Sequence, residues 1–267
     1  MSVPRAAVTY RIAARIVIVL VRLVRWRLDI RGTEHIPRRG GAIVAFNHHS
    51  FTDFLMCGWA VWHDVGRPIR FLGKAELFRM PVLGWLLRSA RQVPVERGSR
   101  VGRQRALAAA VQALREGEII AVAPEQTISE SFDLLPFRTG AARMAREAGV
   151  PIVPSVGWGS QRFYTKGGKP HSPFGVHVMV RYGAPITVGP DDDLVEATQR
   201  LHDAMAQMLD DAQRDYPVQP RPGDDWWLPR RLGGSAPDHA DVLRKHLEQE
   251  AAWRDAQTAT GEQRQAG

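Results

Sequence analysis

The sequence predicts an α/β layered fold in which helices flank a largely parallel, mixed sheet. Three observations predict it. Six short apolar runs, rich in valine and isoleucine, are separated by stretches of helical periodicity. Strand and helix signals alternate along the chain, the order that builds a parallel sheet through crossover helices. Polar and charged residues gather where the apolar runs end, and that edge of the sheet is where such folds place their sites. At 267 residues and 44% hydrophobic, the chain buries one full core. One central domain over 31–216 is expected. It is preceded by an N-terminal membrane-associating helical segment (1–30) and followed by a C-terminal loop and polar helix, partly disordered (217–267).

Residues 8–30 read as a strongly apolar, amphipathic helix with Arg11, Arg15, Arg22 and Arg25 on one face and Trp26 near its end. Its longest uncharged run, Ile16 to Val21, is far short of the ~20 residues a membrane span needs. A wide apolar arc beside an arginine stripe suits a helix lying in the membrane interface, and the alternative is packing on the protein's own core. The proline–glycine turn of Pro37 to Gly41 then introduces the first strand, Ile43 to Phe46, and a helix follows from Asp53. Arg70–Lys74 is the second strand. Met80-Pro81 opens a helix through Leu87, because proline is tolerated in a first helical turn. Gln92 to Arg97 is a third short strand. Residues 100–116 form an amphipathic helix stopped by Gly117. Ile119–Ala123 is the fourth strand, and a helix from Ala141 to Glu147 is closed by Gly149. Val150–Pro154 and His177–Tyr182 are the fifth and sixth strands. Asp191 to Arg214 is a helix with an acidic start. The tail begins with a Pro, Gly and Trp-rich loop, Pro217 to Pro229. It continues as a polar helix from Asp238 to Trp253, and the last dozen residues read as disordered.

The net charge of +8 points to an anionic partner: a phosphate ligand, an anionic membrane surface or nucleic acid. No basic–aromatic interleaving marks a nucleic-acid platform, so no nucleic-acid partner is expected. The single cysteine, Cys57, lies in an apolar run and reads as a small buried hydrophobe; no disulfide within the chain is possible. The histidines show no metal-ligand spacing, and neither a metal nor a cofactor is expected.

The stretch with most chemistry is Asn47-His48-His49-Ser50-Phe51-Thr52-Asp53, at the end of the first strand. On an unbroken helix, His48 and Asp53 would stand about 140° apart. With His48 in the turn and Asp53 in the first helical turn, the carboxylate reaches the imidazole and leaves the other ring nitrogen as a base. Residue types alone leave a second reading open, in which Asn47 and Thr52 cap the helix, His48 is a loop histidine and Asp53 enriches the first turn. Ser50 is poorly placed as a nucleophile so close to His48, and no Gly-x-Ser-x-Gly is present.

Read together, four blocks resemble a known family. Asn47 to Asp53 looks like the His-x4-Asp block of the glycerolipid acyltransferases, the family of 1-acyl-glycerol-3-phosphate O-acyltransferases. Val93-Pro94-Val95-Glu96-Arg97 resembles its second block and Ala123-Pro124-Glu125-Gln126-Thr127 its third. Val150-Pro151-Ile152-Val153-Pro154 resembles its fourth. Phe71 to Leu77 and Phe137 to Gly140 also look like family positions, and the likeness covers roughly 30–190. The third block departs from the pattern, with Gln126 at the family glycine and Ile128 at the usual arginine.

The resemblance implies transfer of a fatty acyl group from a thioester, acyl-CoA or acyl carrier protein, to a lysophospholipid hydroxyl. The most direct case turns 1-acyl-glycerol-3-phosphate into phosphatidic acid. The alternatives are another lysolipid acceptor, or a lipid thioesterase or hydrolase using the same His–Asp pair. It implies His48 and Asp53 as catalytic residues, and Asn47, Lys74, Arg97, Glu125, Thr127, Arg138 and Gly140 as substrate-binding ones. Partners are then the lysophospholipid acceptor, the acyl-CoA donor and an anionic membrane surface. The expected place is peripheral or monotopic on the cytoplasmic face of the membrane.

Overall fold

A computed structural model describes residues 5–96, 99–168 and 171–265. In chain order the elements are α1 (Arg5–Leu23), β1 (Arg27–Arg31), β2 (Ala42–Phe46), α2 (Asp53–Ala60), β3 (Ile69–Lys74), α3 (Pro81–Ser89), β4 (Val93–Val95), α4 (Arg100–Arg115), β5 (Ile119–Val122), α5 (Gly140–Ala148), β6 (Ile152–Trp158), β7 (His177–Tyr182), α6 (Leu194–Arg214) and α7 (His239–Gln265). One seven-stranded sheet has the order β1-β7-β6-β2-β5-β3-β4. Every neighbouring pair is parallel except β6 and β7.

β2 lies at the middle of the sheet and all five of its residues are buried. A strand covered on both faces has no polar side to alternate with, which is why it reads as a continuous apolar run. Val44 and Phe46 join a core with Met56, Cys57 and Ala60 of α2, and Val178 and Val180 of β7. Ile43 and Ala45 point the other way by the two-residue period of a strand. Burial pushes the Cys57 thiol up to about 12, so it is a packing residue without nucleophilic character.

The helix ends follow local chemistry. Ser99 caps α4, its Oγ accepting from Gly102 N–H. Asp193 caps α6 by accepting from the N–H groups of Val195 and Glu196. Pro81 opens α3, and Gly149, at φ 67, closes α5.

The chain divides into two compact units. The first comprises Met1–Ile128 and Pro136–Gln219; the second comprises Ser129–Leu135 and Pro220–Gly267. The expected boundaries therefore change in three places. The first helix stops at Leu23, and residues 27–31 are an edge strand parallel to β7. Arg25 sits at φ 56 in the turn between them and is off the helix face assigned to it. The short segment Ser129–Leu135 groups with the C-terminal residues. Finally, α7 continues to Gln265, past the end expected at Trp253.

Within the second unit, Trp227 is buried and donates its indole N–H to the Asp224 carbonyl at 2.8 Å. His239 and Ser131 meet at 3.0 Å, and Arg231 pairs with Asp133 at 2.7 Å.

β6 runs further than its proline suggests. The expected strand ends at Pro154, yet pairing continues to Trp158. Pro154 offers its carbonyl to Gly183 N–H, and the donor it lacks falls just beyond the end of β7. The extension brings Gly157, Gly159 and Ser160 level with the end of β2.

Candidate active site

The parallel strands β2, β5 and β6 deliver their C-terminal ends to one edge of the sheet, where the order of connections changes side. Asn47 to Thr52 cross this edge as a tight turn before α2 begins at Asp53.

Asp53 organises the turn. Its side chain is only 3% exposed. Oδ2 accepts the N–H groups of His49 at 2.7 Å and Ser50 at 2.6 Å, and faces His48 Nδ1 at 3.4 Å. Oδ1 accepts from the Ser160 hydroxyl at 2.6 Å. A carboxylate in this position only accepts, so the facing Nδ1 of His48 carries the proton and Nε2 is left as the base. The His48 contact is long for a hydrogen bond, as catalytic pairs often are before substrate tightens them. The imidazole is 24% exposed, and Phe46 stands edge-on to it.

Glu125 is buried at the end of β5, and its Oε1 accepts the backbone N–H of His48 at 2.9 Å. It thus holds the main chain that carries the imidazole. Asn47, expected to touch substrate, is fully buried instead. Its amide exchanges two hydrogen bonds with the Gly157 backbone, at 3.0 and 2.6 Å, and so ties the turn to β6. Those bonds fix the amide orientation, so its Nδ2 donates to His49 Nδ1 at 3.0 Å and the His49 proton resides on Nε2. His49 is buried edge-on to Trp158 and is structural.

Ser50 is fully buried, with Oγ 2.7 Å from the Tyr164 carbonyl and 3.2 Å from that of Ser160. A hydroxyl held so by main-chain acceptors is not a nucleophile. Thr165 Oγ1 donates to the His49 carbonyl at 2.6 Å. The residues that follow β6 therefore grip the turn from Asn47 to Asp53 at several points. Sequence reasoning missed Ser160, Gly157 and Thr165. No local pattern pairs residues more than a hundred positions apart.

The other expected site residues are more loosely placed. Lys74 is exposed at the end of β3. Arg97 lies outside the described residues. Thr127 is half-buried in the turn after Glu125, and Arg138 is half-buried with its backbone N–H on the Pro124 carbonyl. Gly140 opens α5, where a Cβ would meet nothing within 4 Å. The N–H groups of that first turn have no partner within the helix.

Gln126 sits at φ 59, the left-handed region that favours glycine. The turn conformation is by itself a sufficient reason for a glycine there. Gln126→Gly is expected to raise stability by about 0.5–1 kcal/mol by relieving backbone strain. In thermal unfolding that is a rise of roughly 1–4 °C; an unchanged or lower midpoint would show that the side chain compensates. Ile128, at the family arginine, is buried and apolar. Among the described residues, no group of three or more His, Cys, Asp or Glu is arranged to hold a metal ion.

A family model described as acyltransferase matches residues 27–158. Over 195 residues the chain is 30% identical to a 1-acyl-sn-glycerol-3-phosphate acyltransferase of Limnanthes alba, covering 70% of this chain and 65% of that protein. It is 29% identical over 143 residues to a chloroplastic 1-acyl-sn-glycerol-3-phosphate acyltransferase of Brassica napus, covering 53% of this chain and 40% of that one. To the corresponding protein of Salmonella typhimurium it is 31% identical over 136 residues, covering 51% and 54%. The chain thus spans between 40% and 65% of the length of these relatives. Its fold resembles the crystal structure of the 1-acyl-sn-glycerophosphate acyltransferase PlsC of Thermotoga maritima. That likeness has a TM-score of 0.65 at 21% identity, over 78% of this chain and 81% of that one.

Proposed function

The chain belongs to the glycerolipid acyltransferase family, and on that premise we propose that it moves a fatty acyl group from a thioester to a lysophospholipid hydroxyl. The donor is acyl-CoA or acyl carrier protein, and the acceptor in the simplest case is 1-acyl-glycerol-3-phosphate. The observation that carries the reading is His48, partly exposed at the sheet edge, with Nδ1 turned to a buried, fully engaged Asp53.

A thioester is already activated, so no enzyme nucleophile is needed. His48 Nε2 takes the proton of the acceptor hydroxyl as its oxygen attacks the thioester carbonyl. Asp53 stabilises the imidazolium that forms. Collapse of the tetrahedral intermediate breaks the carbon–sulfur bond, and the leaving thiolate takes the proton back from His48. The unpaired N–H groups at the start of α5, Gly140 first, are candidate donors to the oxyanion. Phe51 and Phe54, both exposed beside the pair, offer apolar surface to an acyl chain. With Ile128 in place of the family arginine, the acceptor's anionic group falls to Arg97, Lys74 and Arg138, a guanidinium being able to grip two phosphate oxygens at once.

The test is to incubate the purified protein with radiolabelled oleoyl-CoA, with and without 1-oleoyl lysophosphatidate. Labelled phosphatidate that depends on the acceptor supports transfer. Free fatty acid released at the same rate without acceptor would make the protein a hydrolase. A panel of other lysophospholipids in the same assay reads the acceptor headgroup.

Work at a bilayer surface is part of the proposal. On α1 the exposed residues Ile12, Ile16, Val19 and Leu23 form one stripe, with Arg11, Arg15 and Arg22 one position earlier on the adjacent stripe. α1 lies against α3, where Val82 is 80% and Trp85 60% exposed. Apolar surface of this extent, edged by arginines, suits an anionic interface. Among the described residues no helix is long and apolar enough to cross a membrane. The double change Ile16→Asp, Leu20→Asp is expected to weaken sedimentation with phosphatidylglycerol vesicles by about tenfold or more. Unchanged sedimentation would remove α1 from the membrane contact.

A further inference from the structure

We propose that Ser160 is a positioning residue for acyl transfer: its hydroxyl sets the plane of the Asp53 carboxylate and so aims it at His48. The inference rests on the acyltransferase reading of His48 and Asp53 given above.

Two backbone N–H groups hold Oδ2 of Asp53, and turning the carboxylate about the bond to its Cβ stretches both bonds; small departures of the plane stay open as long as only one oxygen is held. The second oxygen needs its own anchor. That anchor is Ser160 Oγ, 2.6 Å from Oδ1, a length proper to a hydroxyl donating to an ionised carboxylate. Ser160 is 1% exposed and Asp53 5%, so both are shielded from bulk solvent. The backbone around the donor is closely packed and tied to the turn. Before it, Gly159 stands at φ 102, where a Cβ would lie 2.1 Å from the His177 carbonyl oxygen. At Ser160 itself, the carbonyl lies 3.2 Å from Ser50 Oγ, inside the catalytic turn. Oδ1 of Asp53 makes no hydrogen bond to the imidazole, which faces Oδ2; the Ser160 hydroxyl therefore acts on His48 through the carboxylate.

The experiment measures steady-state transfer of oleoyl-CoA to 1-oleoyl lysophosphatidate by Ser160→Ala, Ser160→Thr and Ser160→Cys, beside the wild type and His48→Ala. Thermal unfolding is recorded for each. Removing the hydroxyl lets the carboxylate turn, and a misaimed catalytic group costs on the order of 10- to 100-fold. Ser160→Ala is expected to lose that much in kcat while both KM values stay within about twofold, since Ser160 touches no substrate. Ser160→Thr, which keeps the hydroxyl, recovers most of kcat. Ser160→Cys, close in size but a weak donor, behaves like alanine and carries the test should the alanine variant not fold.

A wild-type kcat in both the alanine and cysteine variants overturns the assignment. So does a loss confined to KM, or a threonine variant as slow as the cysteine one. If His48→Ala itself transfers at the normal rate, the acyltransferase reading falls. If His48→Ala is inactive while the serine variants are normal, only the role of Ser160 falls.

Discussion

His48→Ala is expected to lower kcat by about 10³-fold or more while leaving the protein folded. A positioned general base contributes about 10²–10⁴-fold, and no other described group at the sheet edge is placed to replace it. The fold should survive because the ring is partly exposed and its bond to Asp53 is long. The bond that holds residue 48 in place comes from its backbone N–H to Glu125, and alanine keeps it. Turnover of labelled oleoyl-CoA with lysophosphatidate, read beside a thermal unfolding curve, separates the two effects. A variant that keeps more than about a tenth of the wild-type rate would remove the base role, since that loss is smaller than any positioned base supplies.

The second large effect is at Asp53, and two substitutions divide its duties. An asparagine can present its oxygen to the N–H groups of His49 and Ser50 and turn its amide toward Ser160 Oγ, which also accepts. Geometry is then kept and the charge is lost, so kcat should fall by about 10²–10⁴-fold with little change in stability. Alanine removes the acceptor as well. Three buried donors lose their partner, each costing roughly 1–3 kcal/mol. Allowing for some relaxation, on the order of 3–5 kcal/mol of stability should go, a drop in unfolding midpoint of about 10 °C or more. Equal stability in the two variants would mean that the carboxylate does not hold the turn. Near-normal kcat in Asp53→Asn would mean that its charge does not serve the imidazole.

Much of the fold was legible because strands buried on both faces leave continuous apolar runs, and helices leave a 3.6-residue period with capping residues at their ends. Six of the seven strands and the helices from α2 to α6 follow from those signals. β1 carries no signal that separates it from the preceding helix. Arg27–Arg31 is short and half-exposed, and it follows an apolar helix without a glycine or proline between them. Only its pairing with β7 makes it a strand. β6 was cut short at Pro154 because a proline normally ends pairing, and the reason it does not here lies in where β7 stops.

The candidate site divides along the same line. By itself the sequence determined the family, from four motif blocks in order, and the α/β class, from alternating strand and helix signals, and it set His48 and Asp53 five positions apart in one turn. Only the tertiary structure decided what surrounds the pair. Asn47 proved to be a tie to Gly157, Ser50 a sealed hydroxyl and Asp53 the acceptor for two N–H groups and Ser160. Hydrogen bonds between strand ends depend on sheet order and register, and those are settled by burying all the strands and helices at once. No window of sequence around Asp53 contains the partner that lies 107 residues away.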